Sequence, residues 1–218
     1  MTTTTLSHVT INHGNTVLEK SQLSAAAETV NMAVSTLISA HSQLKSKNIT
    51  KNVKDNAQLY LKTPETGPSD AEVWGLMAIF TNTLNGLSAN RKINVKEMPG
   101  AYGSVGFQQI ESDEVPTQKG LGKTVARRLG HDDLVARSDI NIAISTLSKG
   151  VILRVQTLIH EATHRYANTR DHGSKGYTNA AGTRYLASGL TREEAIINAD
   201  SVAWMAVHIA KPYCSWLK

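Results

Sequence analysis

Three stretches in the first half of the chain carry apolar residues at helical spacing. Residues 17–44 place an apolar side chain at every third or fourth position, which predicts an amphipathic helix. A shorter stretch, residues 53–61, predicts a second helix before a segment rich in proline and threonine. Ser69 then begins a third helix, because Glu72 completes a capping box with it, and we expect the Asn-Gly pair at 85–86 to end this helix.

The second half of the chain alternates between strand-like and helical patterns. Residues 140–147 alternate isoleucine with polar or small residues, which predicts a half-buried strand. A helix over 151–166 follows, and the last helix begins at Thr191, where Glu194 completes a second capping box, and continues to about residue 210. The glycine-rich residues 97–107 predict a loop or short strands, and residues 111–138 show no clear pattern.

These patterns predict the fold class and the domain limits. The chain is expected to be α+β and mostly helical, with one short sheet. Residues 1–15 are polar, threonine-rich and aperiodic, so we expect a flexible leader there. Residues 16–218 then form a single domain, with a helical N-terminal part over about 16–90 and a catalytic core over about 91–210.

Composition places the chain among ordinary globular domains. Of its 218 residues 40% are hydrophobic and 19% charged, which is enough apolar material for a core. The net charge is +5, but the lysines and arginines are scattered, so we expect a solvated surface and no nucleic-acid partner. Cys214 is the single cysteine, no signal-peptide pattern begins the chain and no apolar run reaches membrane-spanning length. We therefore expect a monomer that is made in the cytoplasm and does not insert into membranes.

The HEATH pentad, residues 160–164, is the strongest chemical signal in the chain, and it lies inside a predicted helix. Residues four apart on a helix share a face, so His160 and His164 can both point a ring nitrogen at one ion, as zinc requires. Glu161 is offset by one position and lies near enough to act as general base on a water at that ion. The pentad therefore predicts two zinc ligands and one catalytic base.

A catalytic zinc site needs a third protein ligand, and the spacing indicates Asp171. A glutamate followed four residues later by an aspartate could supply it from the last helix, but neither Glu193 nor Glu194 has an aspartate at that distance. The residue six positions after the second histidine is an arginine, which cannot bind a cation. Asp171 comes next, and a left-handed turn at Asn168 would bring its carboxylate toward the ion.

Two motifs here resemble a known family. HEATH followed by NTRD resembles the deuterolysin-like metallopeptidases, the aspzincins, whose pattern is HExxH followed by Gly-Thr-x-Asp-x-x-Tyr-Gly. The later AIINADSVAWM is similar to the Asn-Ala-Asp-Ser helix of lysine-specific metallo-endopeptidase domains, and together the motifs cover roughly residues 139–210. The resemblance implies a zincin-like fold and zinc held by His160, His164 and Asp171, with Glu161 as base.

The resemblance also implies a tyrosine that stabilises the tetrahedral intermediate, three residues after the aspartate. This chain has Ser174 at that position, and Asn168 where the family has glycine. Tyr177 and Tyr185 are nearby substitutes for the tyrosine, and His172 is a third possibility. The residue that fills this role stays open at the level of sequence.

Asp200 falls beside the apolar stripe of the last helix, where a charge needs a partner. One interpretation is a hydrogen bond to a zinc-binding histidine. Another is an acidic pocket for a basic substrate side chain, which the resemblance favours because related enzymes cut before lysine. A third is an ordinary ion pair with lysine or arginine.

Together these features predict a zinc endopeptidase that acts on protein or peptide substrates. We expect the strand at 140–147 to be the sheet edge to which an extended peptide adds. A peptidase site in a chain without signal peptide or disulfides suggests a bacterial effector or toxin that is exported or injected by a dedicated apparatus. Besides its substrate, an export apparatus or an inhibitor protein is a candidate partner. Two alternatives stay open: a zinc-dependent effector acting on a non-peptide bond, and a non-catalytic basic binding module.

Overall fold

The computed structural model of the chain describes residues 2–46, 48–105, 107–109, 135–137 and 139–217. Most of residues 111–138, for which no element is predicted, lie outside these ranges. The described part is α+β and mostly helical, with a small mixed sheet against a group of helices, as predicted.

The helices lie close to their predicted positions. They are α1 (Lys20–Leu44), α2 (Lys51–Leu61), α3 (Asp70–Asn90), α4 (Ile144–Leu147), α5 (Val151–Ala167), α6 (Arg192–Ile197) and α7 (Ala199–Ala210). Both predicted capping boxes are confirmed. Ser69 and Glu72 exchange side-chain and backbone hydrogen bonds at the start of α3, and Thr191 and Glu194 do the same at the start of α6.

The predicted end of α3 at residues 85–86 is wrong. The helix continues through Gly86 to Asn90, and Arg91 ends it in a left-handed conformation with φ 39°. Gly86 serves close packing here, because a Cβ built on it would lie 2.2 Å from Cγ of Tyr166. The glycine lets α3 approach the helix that carries the histidines, and it does not terminate α3.

The strands form one five-stranded sheet and a separate two-stranded ribbon. In chain order they are β1 (Thr2–Leu6), β2 (Val9–Gly14), β3 (Lys92–Lys96), β4 (Gly103–Ser104), β5 (Phe107–Gln109), β6 (Val135–Arg137) and β7 (Asn141–Ala143). The sheet has the order β1-β2-β3-β7-β4, and β5 pairs with β6. The pairs β2–β3 and β3–β7 are parallel, whereas β1–β2 and β7–β4 are antiparallel.

A ladder of asparagine side chains crosses the sheet toward β4. Asn12, Asn94 and Asn141 stand opposite one another in register on three adjacent strands. The amide nitrogen of Asn12 donates to Asn94, and that of Asn94 donates to Asn141, each at 3.1 Å. Asn141 in turn donates to the carbonyl oxygen of Ser104 at 3.1 Å, so the ladder ties β4 to the rest of the sheet.

The expected flexible leader over residues 1–15 is corrected by the structure. Residues 2–14 form the hairpin of β1 and β2, and Val9 and Ile11 are fully buried. Two apolar residues at a spacing of two are a weak sequence signal. Their burial depends on pairing with β3, some 80 positions further on, so the strand becomes visible only in the tertiary fold.

The predicted strand at 140–147 is shorter than expected, and it is not an edge. Only Asn141–Ala143 is extended, and residues 144–147 form the helical turn α4. This strand, β7, lies between β3 and β4, and all three of its residues are buried. Within the described residues, β4 is the edge strand on this side of the sheet, and β1 is the edge strand on the other side.

The predicted last helix is interrupted. It divides into α6 and α7 at Asn198, whose backbone is extended with φ −79° and ψ 121°. The backbone of Arg170 lies alongside this break as a parallel bridge, so a hydrogen-bonding partner from elsewhere in the chain replaces one turn of helix.

The core lies between the helices and one face of the sheet. α5 packs against α1, α3 and α7 and also touches β4 and β7. The largest fully buried side chains of the core include Trp204, Tyr60, Phe80, Ile11 and Leu37. In the part of the chain that is described, no helix combines the length and the apolar character needed to cross a bilayer.

Candidate active site

The pentad lies in the buried middle of α5. The helix starts after Gly150 and ends at Asn168, and every residue from 154 to 164 is buried. Neighbouring helices cover α5 on several sides, so the two histidine rings have little freedom. The rings of His160 and His164 meet edge to face, with centroids 4.7 Å apart.

Three potential ligand atoms converge at one point. The Nε2 atoms of His160 and His164 are 3.1 Å apart, and Oδ1 of Asp171 lies 3.3 Å from each. Ligand atoms about 2.1 Å from a tetrahedral zinc ion lie about 3.4 Å from one another. The residues therefore fit zinc, and they form a His-His-Asp group compatible with a metal ion.

The other ring nitrogens of both histidines face oxygen atoms. Nδ1 of His164 donates to the carbonyl oxygen of Thr169 at 2.9 Å. Nδ1 of His160 lies 3.7 Å from Oδ1 of Asp200. Partners of this kind keep the proton on Nδ1 and leave Nε2 free to bind a metal.

The turn that delivers Asp171 is the predicted one. Asn168 has φ 58° and ψ 34°, the left-handed conformation expected at the end of α5. Thr169 is buried, and its hydroxyl donates to the hydroxyl of Thr163 at 2.8 Å. The chain thus turns back over the last turn of α5 and places the Asp171 carboxylate opposite the two histidines.

Charges in the site shift several pKa values. Burial lowers the pKa of His160, but hydrogen bonds to the carboxylates of Asp171 and Asp200 outweigh burial and raise the pKa to about 10. Burial raises the pKa of Asp171, yet its hydrogen bonds from His160 and His164 hold the pKa well below the usual range. Without metal the site therefore retains a proton that a cation would have to displace.

Glu161 has the surroundings expected of a general base. It is buried, and this burial raises the pKa of its carboxyl, which the nearby His160 and His164 offset only in part. The edge strand β4 lies directly against it. A Cβ built on Gly103 would come within 2.8 Å of Cγ and 2.9 Å of Oε1 of Glu161, so only glycine lets the two approach so closely.

Tyr177 lies at the predicted ligands. Its ring stacks on the ring of His160, with centroids 5.9 Å apart and planes 16° from parallel. Burial first, then the charge of Asp171 and a hydrogen bond to it, raise the pKa of Tyr177. Tyr177 is still 37% exposed, and its raised pKa keeps the hydroxyl neutral beside the predicted ligand Asp171.

The structure places Tyr185 and His172 apart from this arrangement. The Tyr185 hydroxyl donates to the carbonyl oxygen of Tyr60 and contacts the Ser201 hydroxyl, each at 2.7 Å, and neither partner is a predicted metal ligand. Nδ1 of His172 lies 3.7 Å from Glu194, and burial lowers the pKa of its ring. Of the three candidates for stabilising the intermediate, only Tyr177 contacts a predicted metal ligand among the described residues.

Asp200 is buried beside His160, a predicted ligand. It is 6% exposed, and its two oxygens accept hydrogen bonds at 2.8 Å from the Gln156 amide and from the backbone N–H of Thr178. With His160 at 3.7 Å, little of the carboxylate remains for a substrate lysine. The geometry favours the histidine-orienting interpretation over the acidic pocket.

Gln156 and Gly103 are site residues that sequence reasoning missed. Gln156 could have been noticed, because it lies four positions before His160 and so shares its helix face. Gly103 carries no such signal, since its proximity to Glu161 comes from the packing of β4 on α5.

Comparison with known proteins finds a likeness of fold. A solved structure titled "zinc peptidase from Grifola frondosa" matches with a TM-score of 0.57 and 14% sequence identity, over 90% of this chain and 99% of that chain. No protein-family model and no curated protein sequence matches the chain. At this identity the likeness concerns architecture, and it confirms the predicted fold class: the chain has an α+β fold similar to that of this zinc peptidase.

Proposed function

We propose that the protein is a zinc-dependent endopeptidase that hydrolyses peptide bonds of protein substrates. The observation that carries the proposal is the convergence of His160, His164 and Asp171 at distances that suit one tetrahedral ion. The buried carboxyl of Glu161 beside them and the fold of a zinc peptidase support the same conclusion.

Each residue then has a chemical role. A zinc ion held by the two histidines and Asp171 would polarise the scissile carbonyl and favour ionisation of a water. Glu161 accepts a proton from the attacking water and passes it to the leaving amine. Burial raises the pKa of the Glu161 carboxyl toward neutral pH, and a pKa near the working pH suits a group that first accepts and then donates a proton. The Tyr177 hydroxyl donates to the negative charge that develops on the carbonyl oxygen.

The edge strand β4 is the proposed place for the substrate backbone. It replaces the strand at 140–147, which is covered on both sides. An extended peptide that paired with β4 would run past Gly103, and Gly103 lies against Glu161. The asparagine ladder ties β4 to the rest of the sheet, so a peptide paired with β4 would be presented to the base in one register.

Cleavage of a mixed peptide library tests the proposal. Zinc-loaded protein and its Glu161→Gln variant are incubated with the library, and new termini are mapped by mass spectrometry. We expect wild-type cleavage and a loss of about 10²–10⁴-fold in the variant, which lacks the proton acceptor but keeps the ligands. Glu65→Gln, a change at an exposed turn, is the matched control and should cleave normally.

Other outcomes would redirect the proposal. Equal cleavage by Glu161→Gln would contradict the mechanism. Protein that binds zinc but cleaves no peptide would indicate the alternative of another scissile bond. Protein that binds no zinc, and binds anionic polymers in a salt-sensitive way, would indicate the basic binding module. Because Asp200 is buried, we expect no strong enrichment of lysine after the cut.

A further inference from the structure

The backbone beside Asp171 is held by the break between α6 and α7. The N–H of Arg170 donates to the carbonyl oxygen of Ile197 at 2.8 Å, and the carbonyl oxygen of Arg170 accepts from the N–H of Ala199 at 2.9 Å. In an unbroken helix these two groups would bond within the helix. The extended backbone of Asn198 frees them, and both are used by the residue next to Asp171.

The side chain of Asn198 holds the loop a few residues further on. It is 1% exposed, and its Nδ2 donates to the carbonyl oxygen of Gly176 and to the Ser201 hydroxyl, each at 2.7 Å. Gly176 packs so closely that an added Cβ would lie 2.5 Å from Oδ1 of Asn198. This contact fixes the backbone immediately before Tyr177.

Asp200 holds the backbone immediately after Tyr177. One carboxylate oxygen accepts from the N–H of Thr178 at 2.8 Å. The other accepts from Gln156 on α5 at 2.8 Å and lies 3.7 Å from Nδ1 of His160. A single carboxylate therefore joins the loop that carries Tyr177 to the helix that carries the histidines.

Ser201 holds the far side of the same loop. Its hydroxyl contacts the Tyr185 hydroxyl at 2.7 Å, which in turn donates to the carbonyl oxygen of Tyr60 on α2. Tyr185 forms an antiparallel bridge with Thr178, so the contact restrains both sides of the loop.

We propose that residues 198–201 form an anchor that positions Asp171 and Tyr177 against His160. This inference rests on the proposed function, and it assigns Asp200 a positioning role in place of substrate recognition. Hydrogen bonds join the anchor to the loop at Arg170, beside Asp171, and on both sides of Tyr177. The loop has little regular structure. Such contacts therefore offset the conformational entropy that is lost when Asp171 and Tyr177 are held in one position.

The affinity for Zn²⁺ of the Asn198→Ala variant, measured by competition with a chelator, tests the anchor. We expect a loss of about 10–100-fold, because the Asn198 side chain holds the break between α6 and α7, and the backbone groups that hold Arg170 beside Asp171 are free only at this break. Asn56→Ala is the matched control: Asn56 is 9% exposed and donates to Asn52 within α2. Both variants should lower the melting temperature of the metal-free protein, and only Asn198→Ala should weaken zinc binding. Zinc affinity of Asn198→Ala within about threefold of wild type would overturn the anchor.

A double-mutant cycle separates positioning from general stability. In an Asp171→Ala background, Asn198→Ala should cost little further zinc affinity, because the ligand it positions is gone. An undiminished cost in that background would overturn the proposed route through Asp171. If Asn198→Ala does not fold, the isosteric Asn198→Asp removes the donor to Gly176 with the same expected loss and the same criterion.

The zinc measurements also separate this inference from the proposed function. Wild-type protein without zinc affinity would contradict the proposed function. Tight zinc binding by wild type and by both Asn198 variants would contradict the anchor alone.

Discussion

Two tyrosines on the loop after the metal ligands differ in what their hydroxyls contact. Tyr177 stacks on His160 and forms a hydrogen bond with Asp171, whereas the hydroxyl of Tyr185 donates to the backbone of Tyr60. The sequence offers both as candidates for the same catalytic role. At the scale of single residues, the neighbours of each hydroxyl favour Tyr177 for the proposed role.

Tyr177→Phe should lower kcat by about 10²–10³-fold, the usual cost of removing one donor to a developing oxyanion. Zinc affinity should change little, because the ring and the three ligands remain. The measurement is steady-state cleavage of one peptide identified from the library, with zinc content determined on the same samples.

Tyr166→Phe is the matched control for this prediction. Tyr166 lies on α5, and its hydroxyl accepts a long hydrogen bond of 3.4 Å from Asn90. Its removal should leave kcat unchanged within about threefold. A large loss of kcat in Tyr185→Phe, with normal kcat in Tyr177→Phe, would show that the other tyrosine is the donor.

The contact between strand β4 and helix α5 is the feature that matters at the scale of elements. The strand supplies a backbone edge, the helix supplies the base, and Gly103 lets them meet at van der Waals distance from Glu161. A side chain at position 103 would push the edge of β4 and the Glu161 carboxyl apart, and a peptide paired with β4 would then lie farther from the proposed base.

Gly103→Ala should therefore displace Glu161 and lower kcat by about 10²-fold, since a shift of about 1 Å in a catalytic group has a cost of that size. Zinc affinity should stay within about threefold, because the three atoms nearest the added Cβ all belong to Glu161 and none to a predicted ligand. Gly150→Ala is the control: a Cβ there meets nothing within 4 Å, so activity should be normal. Full activity of Gly103→Ala would refute the proposed packing of strand against base.

At the scale of the whole molecule, the stability of the fold depends on both zinc binding and the protonation of His160. The metal-free fold holds a proton on His160 with a pKa raised to about 10, and an unfolded histidine has a pKa near 6.5. The stability that this proton confers is full below about pH 6.5 and is lost as pH rises through about 10. Zinc must displace the proton, so zinc binding should strengthen as pH rises.

The melting temperature with and without zinc checks this linkage. The free zinc concentration is the same at both pH values: a concentration of 100 times Kd stabilises a fold by about 2.7 kcal/mol, and the same concentration stabilises it more where Kd is smaller. We expect the zinc-induced rise to be larger at pH 8.5 than at pH 6.0, and samples with a chelator at each pH control for changes in the fold itself. A rise that is equal at both pH values, or larger at pH 6.0, would contradict the prediction.

Synthesis in the cytoplasm, a dedicated export apparatus and the effector or toxin role stay predictions.

Features within one helix or one turn were determined by the sequence itself. The pairing of His160 and His164, the two capping boxes and the left-handed turn at Asn168 each depend on residues within about four positions of one another. Local backbone geometry is nearly the same wherever such a segment lies in a fold. The sequence could indicate Asp171 as a candidate because it follows that turn closely, whereas the backbone contacts beside it come from Ile197 and Ala199.

Features that join distant segments were decided only by the tertiary structure. The hairpin at residues 2–14 needs β3 as its partner, and β7 loses its predicted edge because β4 covers it. The role of Asp200 depends on His160, 40 positions earlier, and that of Gly103 on Glu161, 58 positions later. No local pattern encodes such distances, because they result from how the helices and the sheet bury their apolar faces together.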